Sequence, residues 1–291
     1  MKVVLSIQII IFLFKKIMKN ILVPIDFSKA SRNASGYAVS LAKVFDASVT
    51  LINVIPPAVI IDDSILATVM ITQAEILENN KQLVQKEVEA LSKKYPAKIT
   101  GLVQEGFPAD IIQEIAKEKH ADLIVMGMKG KGKSNSVFGS TTTTVIRKLS
   151  FPVLVIPEKA GYSQINNITF ASDFDAEMEV DRYSLLQELA KKFNSQVHIL
   201  NVQKKDSAMN ADEVIGKMKT NVVFSKLNHE FQAINERNVE EGINKFIENK
   251  PTDILAMVAH RHNLLERIFG KVHTKKMSYQ TKVPLLVLQC K

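Results

Sequence analysis

The residues with the clearest chemical meaning form the glycine-rich run Gly127-Met128-Lys129-Gly130-Lys131-Gly132-Lys133, followed a few residues on by Gly139-Ser140-Thr141. Glycines let backbone N–H groups approach an anion closely and reach positive φ. A helix opening at Ser140 adds a hydroxyl, free N–H groups and a favourable dipole. Lysines within the loop raise the local positive potential. Together these features describe a cradle for phosphate.

Asp26, after the apolar run Ile21-Leu22-Val23-Pro24-Ile25, is the second candidate, because a carboxylate there can accept from an adenine amino group or a ribose hydroxyl. The loop also satisfies the pattern G-x-x-x-x-G-K-[ST] through Gly127, Gly132, Lys133 and Ser134. A P-loop enters a helix directly from its lysine, whereas Asn135-Ser136-Val137-Phe138-Gly139 makes a poor first turn. The following strand ends in proline and offers no aspartate for magnesium, so an NTPase of that type is disfavoured. His260-Arg261-His262 is a weak metal or phosphate motif without further ligands at set spacing. No Ser-His-Asp, paired-carboxylate or cysteine nucleophile pattern stands out, so no catalytic residue is assigned.

The elements that must hold these residues alternate in type. Short β-branched runs at residues 20–25, 48–54, 98–104, 122–126 and 153–156 read as buried strands. Helical periodicity covers residues 64–94, 108–119 and 141–149, and Ser28 is placed to cap a further helix after the first strand. This alternation implies an α/β fold, a mostly parallel sheet with helices on both faces. In such sheets ligands sit at the carboxyl ends of the strands, where strand order switches. That is where Asp26 and Gly127 fall.

The pattern then restarts. Residues 167–174 (NITFASDF) echo 20–27 (NILVPIDF), and 196–202 (QVHILNV) echo 48–54 (SVTLINV). Residues 253–257 echo 122–126, Phe269-Gly270 echoes Phe138-Gly139, and 283–288 echo 151–156. Five matches in the same order point to a duplicated unit, with a polar boundary near residues 158–164. The middle of the second copy reads as shorter, with one helix around 211–227. Val258, Arg261 and Lys271 stand where the first copy has Gly127, Gly130 and Ser140, so phosphate binding is expected in the first copy alone.

Taken together, residues 21–28, the strand at 122–126, the loop Gly127-x2-Gly130…Gly139-Ser140 and the segment 151–157 resemble the universal stress protein family. The resemblance spans residues 18–291 as two family domains, 18–158 and a degenerate 165–291. It implies Rossmann-like domains of adenine-nucleotide-alpha-hydrolase type, each mostly five-stranded and together forming a pseudo-dimer. It implies ATP or another adenine nucleotide, with or without magnesium, in the first domain and none in the second. Pro24, Ile25, Asp26 and Val54 would line the base side. Met126, Gly127, Gly130, Gly139, Ser140 and Thr141 would frame the phosphates. One departure stands out: eight residues separate Gly130 from Gly139, where the family has nine. The role implied is a sensor or adaptor with slow or absent hydrolysis, at most a weak ATPase. A tandem scaffold that binds no nucleotide is the alternative.

Composition bounds the rest. The chain has 291 residues, 46% hydrophobic and 23% charged, with a net charge of +8 and dispersed lysines. No basic run is interleaved with aromatics, so nucleic acid is not expected as a partner; an unidentified protein is, and a further homodimer stays open. Cys290 is the only cysteine, which excludes an intrachain disulfide and suits the cytoplasm. Residues 3–14 (VVLSIQIIIFLF) are mostly apolar but too short to span a bilayer as a helix, and Lys15-Lys16-Ile17 lacks a small-residue cleavage pattern. Residues 1–17 are therefore read as an upstream extension or a mis-called start, with no membrane partner. The last strands, 153–156 and 283–288, are expected to pair within the chain and cover each other's edge.

Overall fold

The computed structural model describes residues 18–58, 66–128, 140–176, 179–203, 209–259 and 283–289. The first half runs β1 (Asn20–Pro24), α1 (Lys29–Phe45), β2 (Ser48–Ile55), α2 (Leu66–Lys94), β3 (Ile99–Glu105), α3 (Pro108–Glu118), β4 (Leu123–Gly127), α4 (Ser140–Lys148) and β5 (Val153–Ile156). The second runs β6 (Asn167–Ala171), a 3-10 turn at Val180–Tyr183, α5 (Ser184–Phe193), β7 (Gln196–Gln203), α6 (Ala211–Phe224), β8 (His229–Asn235), α7 (Val239–Asn249), β9 (Ile254–Ala259) and β10 (Leu285–Gln289).

All ten strands described join one sheet, in the order β3-β2-β1-β4-β5-β10-β9-β6-β7-β8. Every neighbouring pair is parallel except β5 and β10, which run antiparallel with Leu154 opposite Leu286. Each half thus has the order 3-2-1-4-5, and the two meet edge to edge at their last strands, as expected. The central strands are buried along nearly their whole length because helices cover both faces, which is why they read as unbroken apolar runs. Helices α1, α2, α5 and α6 cover one face, with Tyr37, Leu41, Phe45 and Phe224 in that core. Helices α3, α4 and α7 cover the other, with Ile112, Ile146 and Phe246. Across the junction Phe45 meets Phe193 edge-on at 6.1 Å. Tyr37 packs on Tyr162 at 5.1 Å, and burial pushes both phenol pKa values up.

The halves repeat each other at the level of single hydrogen bonds. Asp122 accepts from the N–H groups of Lys19 and Asn20 at 2.8 and 3.0 Å, and Asp253 from those of Asn166 and Asn167 at 2.8 Å each. Asn53 donates to the Ile25 carbonyl at 2.8 Å, and Asn201 to that of Ser172 at 2.9 Å. Helices α1 and α5 end in left-handed caps at Asp46 and Asn194. The second half is fuller than its sequence pattern suggests. Besides the helix at 211–224 it contains β8 and α7, whose amphipathic patterns are short, and the β8 edge strand is only half-buried.

Candidate functional site

Strand β1 lies between β2 and β4; the crossover from β1 to β2 passes through α1 on one face, and the crossover from β3 to β4 passes through α3 on the other. The carboxyl ends of β1 and β4 therefore flank the switch point of strand order, the place where open α/β sheets hold their ligands. Asp26 stands at this point, half-buried, one residue beyond the buried Ile25. Its carboxylate accepts from the Ser28 N–H at 3.0 Å, and its own N–H donates to Ser31 Oγ at 3.4 Å. Between them Phe27 takes a φ of 60°. Ser28 then caps α1 by accepting from the Ser31 N–H at 3.1 Å, so a tight turn and a capped helix begin together. The Ile25 carbonyl behind them is held by Asn53, whose Oδ1 is buried without a hydrogen-bond partner.

Gly127 ends β4 in regular pairing opposite Ile156. The role its absent side chain serves is one of space. A Cβ there would lie 2.8 Å from the Ala30 carbonyl carbon, 2.9 Å from its oxygen and 3.0 Å from the Ser31 nitrogen, all backbone of the first turn of α1. The Gly127 carbonyl in turn accepts from Thr142 Oγ1 at 3.0 Å, in the first turn of α4. Two helix amino termini are thereby drawn onto one strand end. Their dipoles favour an anion at that end of the strands.

The other anticipated residues divide by position. Pro24 and Val54 are half-buried at the ends of β1 and β2. Met126 is 4% exposed and packs in the core under α3 and α4, paired with Val155 across β4 and β5. Ser140 opens α4, and Thr141 beside it is exposed. Gly130 and Gly139 lie outside the described residues, as do His260, Arg261, His262, Gly270 and Lys271. Sequence reasoning did not single out Asn53, Ser31 or Thr142. The echo of Asn53 by Asn201 in the matched strands was the available signal for the first. Among the described residues no group of three or more His, Cys, Asp or Glu side chains is placed to hold a metal, and no helix is long and apolar enough to cross a membrane.

The corresponding end of the second half is built differently. α5 has 10 residues where α1 has 17, and a 3-10 turn takes the place of the missing first turns. That gives Val258, 3% exposed, the room that Gly127 lacks. Helix α6 presses on the loop after β6 so closely that a Cβ on Gly216 would collide with the Phe174 carbonyl. The Lys219 ammonium donates to the Ala176 carbonyl in the same loop.

Comparison with known proteins agrees with this architecture. Residues 18–157 match the model of the universal stress protein family. The chain is 34% identical over 143 residues to universal stress protein MJ0531 of Methanocaldococcus jannaschii, a match covering 49% of this chain and 84% of that one. It is 29% identical over 148 residues to universal stress protein Sll1654 of Synechocystis, covering 48% and 85%. Among solved structures, a universal stress protein from Archaeoglobus fulgidus aligns over 93% of this chain and 98% of its own, with a TM-score of 0.66 and 17% identity. That last likeness speaks for the fold.

Proposed function

The chain belongs to the universal stress protein family, and from that premise we propose that its first half binds ATP or another adenine nucleotide at the carboxyl ends of β1, β2 and β4. The observation that carries the reading is the convergence of the α1 and α4 amino termini on Gly127, a place where a Cβ would not fit. The residues there suit a nucleotide. Asp26, with Pro24, Ile25 and the Val54 backbone, would hold the base and ribose. The backbone from Met126 and Gly127 through Gly130, and Gly139 with Ser140 and Thr141, would hold the phosphates. The triphosphate would bring charge for the helix dipoles to neutralise, with magnesium as an optional companion.

In this proposal residues 18–158 and 165–291 are two duplicated family domains forming a pseudo-dimer within one chain. The second binds no nucleotide, which the buried Val258 and the close packing of α6 on the Phe174 loop support. The protein would act as a cytoplasmic sensor or adaptor for an unidentified protein partner, with slow or no hydrolysis. The eight-residue Gly130–Gly139 spacing favours a second reading, a tandem scaffold that binds no nucleotide. Thermal unfolding with and without ATP separates the two, since a ligand at 100 times its Kd adds about 2.7 kcal/mol. The proposal expects that shift in the native protein and its loss in Asp26→Ala and Gly130→Val. An ATP shift unchanged in both variants would refute it.

A further inference from the structure

Helix α6 carries apolar residues on its outward side as well as its inward one. Its inward face buries Gly216, Thr220, Val223 and Phe224. On the outward face Val214, Ile215, Met218 and Val222 are 40, 47, 65 and 71% exposed. Four of the eight large apolar side chains left exposed among the described residues thus crowd onto this one helix. Val214, Met218 and Val222 recur at four-residue steps, so they form one stripe about 12 Å long with Ile215 beside it. Ile215, Met218 and Val222 also follow the three-then-four spacing of helices that pack on other helices.

The polar residues flanking the stripe are turned away from it. On one flank the Lys217 ammonium lies over the Phe231 ring, 5.3 Å from its centroid, and Asn221 Oδ1 is 3.2 Å from His229 Nε2. On the other flank the Lys219 ammonium donates to the Ala176 carbonyl. All three contacts are made with the chain's own body, which leaves the apolar stripe bare. A bare stripe of this kind marks a surface that binds a partner.

Charge indicates the partner. Asp212 and Lys226 are both exposed. The Ser225 cap keeps helical dihedrals, so Lys226 continues the path of α6. Asp212 and Lys226 then fall about 40° apart around the helix axis, both on the Ile215 side of the stripe. Asp212 precedes Met218 by about 9 Å along the axis, and Lys226 follows it by about 12 Å. Let a second α6 lie antiparallel across the first, with Met218 on the two-fold axis. Val214 then faces Val222 of the second copy, and Asp212 comes within about 3 Å, measured along the axis, of its Lys226. A parallel arrangement instead sets Asp212 against Asp212 and Lys226 against Lys226, and it aligns the two helix dipoles. The charges therefore select the antiparallel pair.

We propose that the outward face of α6 is a homodimer interface, on which a second copy of this chain docks through its own α6, antiparallel, with Met218 at the two-fold axis. The surface is complementary to itself, so it closes as a pair and does not propagate. Four apolar side chains from each copy make a small interface, so the dimer is weak and forms reversibly with concentration. The inference is independent of the nucleotide reading.

Sedimentation velocity of the full-length chain tests this, with variants whose altered side chains are exposed and whose folding is checked by circular dichroism. Native protein should pass from monomer to dimer as its concentration rises from about 1 μM to about 1 mM. Met218→Glu with Val222→Glu should weaken the dimer about a hundredfold or more, because each apolar side chain is lost twice per dimer. Asp212→Lys should weaken it about threefold to tenfold, and adding Lys226→Asp should restore it. In a Cys290→Ser background, Met218→Cys should cross-link two chains under mild oxidation, whereas Val214→Cys should do so only together with Val222→Cys. A monomer at every concentration would overturn the proposal, as would a dimer unchanged by Met218→Glu with Val222→Glu. Cross-linking through Val214→Cys alone, as fast as through Met218→Cys, would overturn the antiparallel register. A dimer abolished by Leu83→Glu, at an exposed position of α2, would overturn the pairing of α6 with itself. Protein that stays monomeric but pellets with phosphatidylglycerol vesicles, and no longer does so after Met218→Glu, would overturn it in favour of a membrane surface.

Discussion

Alanine at Gly127 should destabilise the protein, whereas alanine at Gly36 should stabilise it. At Gly127 the added Cβ would stand 2.8 to 3.0 Å from three backbone atoms of Ala30 and Ser31. Comfortable carbon contacts lie near 3.5–4.0 Å, so the overlap is roughly 0.5–1 Å. Backbone at a helix start cannot rotate aside as a side chain can. Either the end of β4 or the first turn of α1 must shift, at a cost of about 1–3 kcal/mol. Displacing that turn also strains the Ser28 cap, worth about 1 kcal/mol when lost. At Gly36, inside the same helix, a Cβ meets nothing within 4 Å. There alanine gains about 0.5–1 kcal/mol of helix propensity. Urea unfolding of the two variants beside the native chain, without nucleotide, measures both. A Gly127→Ala stability equal to native, or effects of the same sign at both sites, would refute the argument that α1 and β4 are in backbone contact. In that case Gly127 would owe its identity to a ligand alone.

Other expected outcomes follow from the same geometry. Asp122→Ala and Asp253→Ala each strand two N–H groups at a strand start and should cost about 1–3 kcal/mol, in similar amounts by urea denaturation. Leu154→Ala and Leu286→Ala, paired across β5 and β10 and both fully buried, should each cost about 2–5 kcal/mol, and the double variant should depart from additivity. Glu230 receives a 2.7 Å hydrogen bond from His198, which with Lys250 nearby holds its carboxyl below the usual 4.5. A depressed carboxylate stabilises the fold above its unfolded pKa and loses that contribution as pH falls through its folded one. The gap between native protein and Glu230→Gln should therefore be steady near neutrality and close below about pH 4.5. A gap that persists at pH 2 would contradict the assignment.

Much of the fold was legible because its signals are local. The runs at residues 20–25, 48–54 and 153–156 are strands within a residue or two of their expected bounds, and Ser28 is the cap its position suggested. A strand buried on both faces needs a continuous apolar run, and a helix start needs an acceptor for its free N–H groups. Neither demand refers to anything distant in the chain. The α7 helix and the β8 edge strand were not read, since one helix alone was expected in the middle of the second half. An edge strand with half-buried residues has a weak pattern, and an eleven-residue helix shows few turns of periodicity.

By itself the sequence determined the element types of the first half, the order of the five matched segments in the second and the placing of Asp26 and Gly127 at strand ends, since these depend on periodicity and on residues a few positions apart. Only the tertiary structure decided why Gly127 must lack a side chain. The obstacle is Ala30, 97 positions away in sequence and in backbone contact in space. It also decided that Val258 can occupy the matching place, because the helix beside it starts later, and that α6 presses on the Phe174 loop while its other face stays apolar. Such contacts arise when separate elements pack. Packing is governed by the distance between backbones, which no local pattern of residue types records.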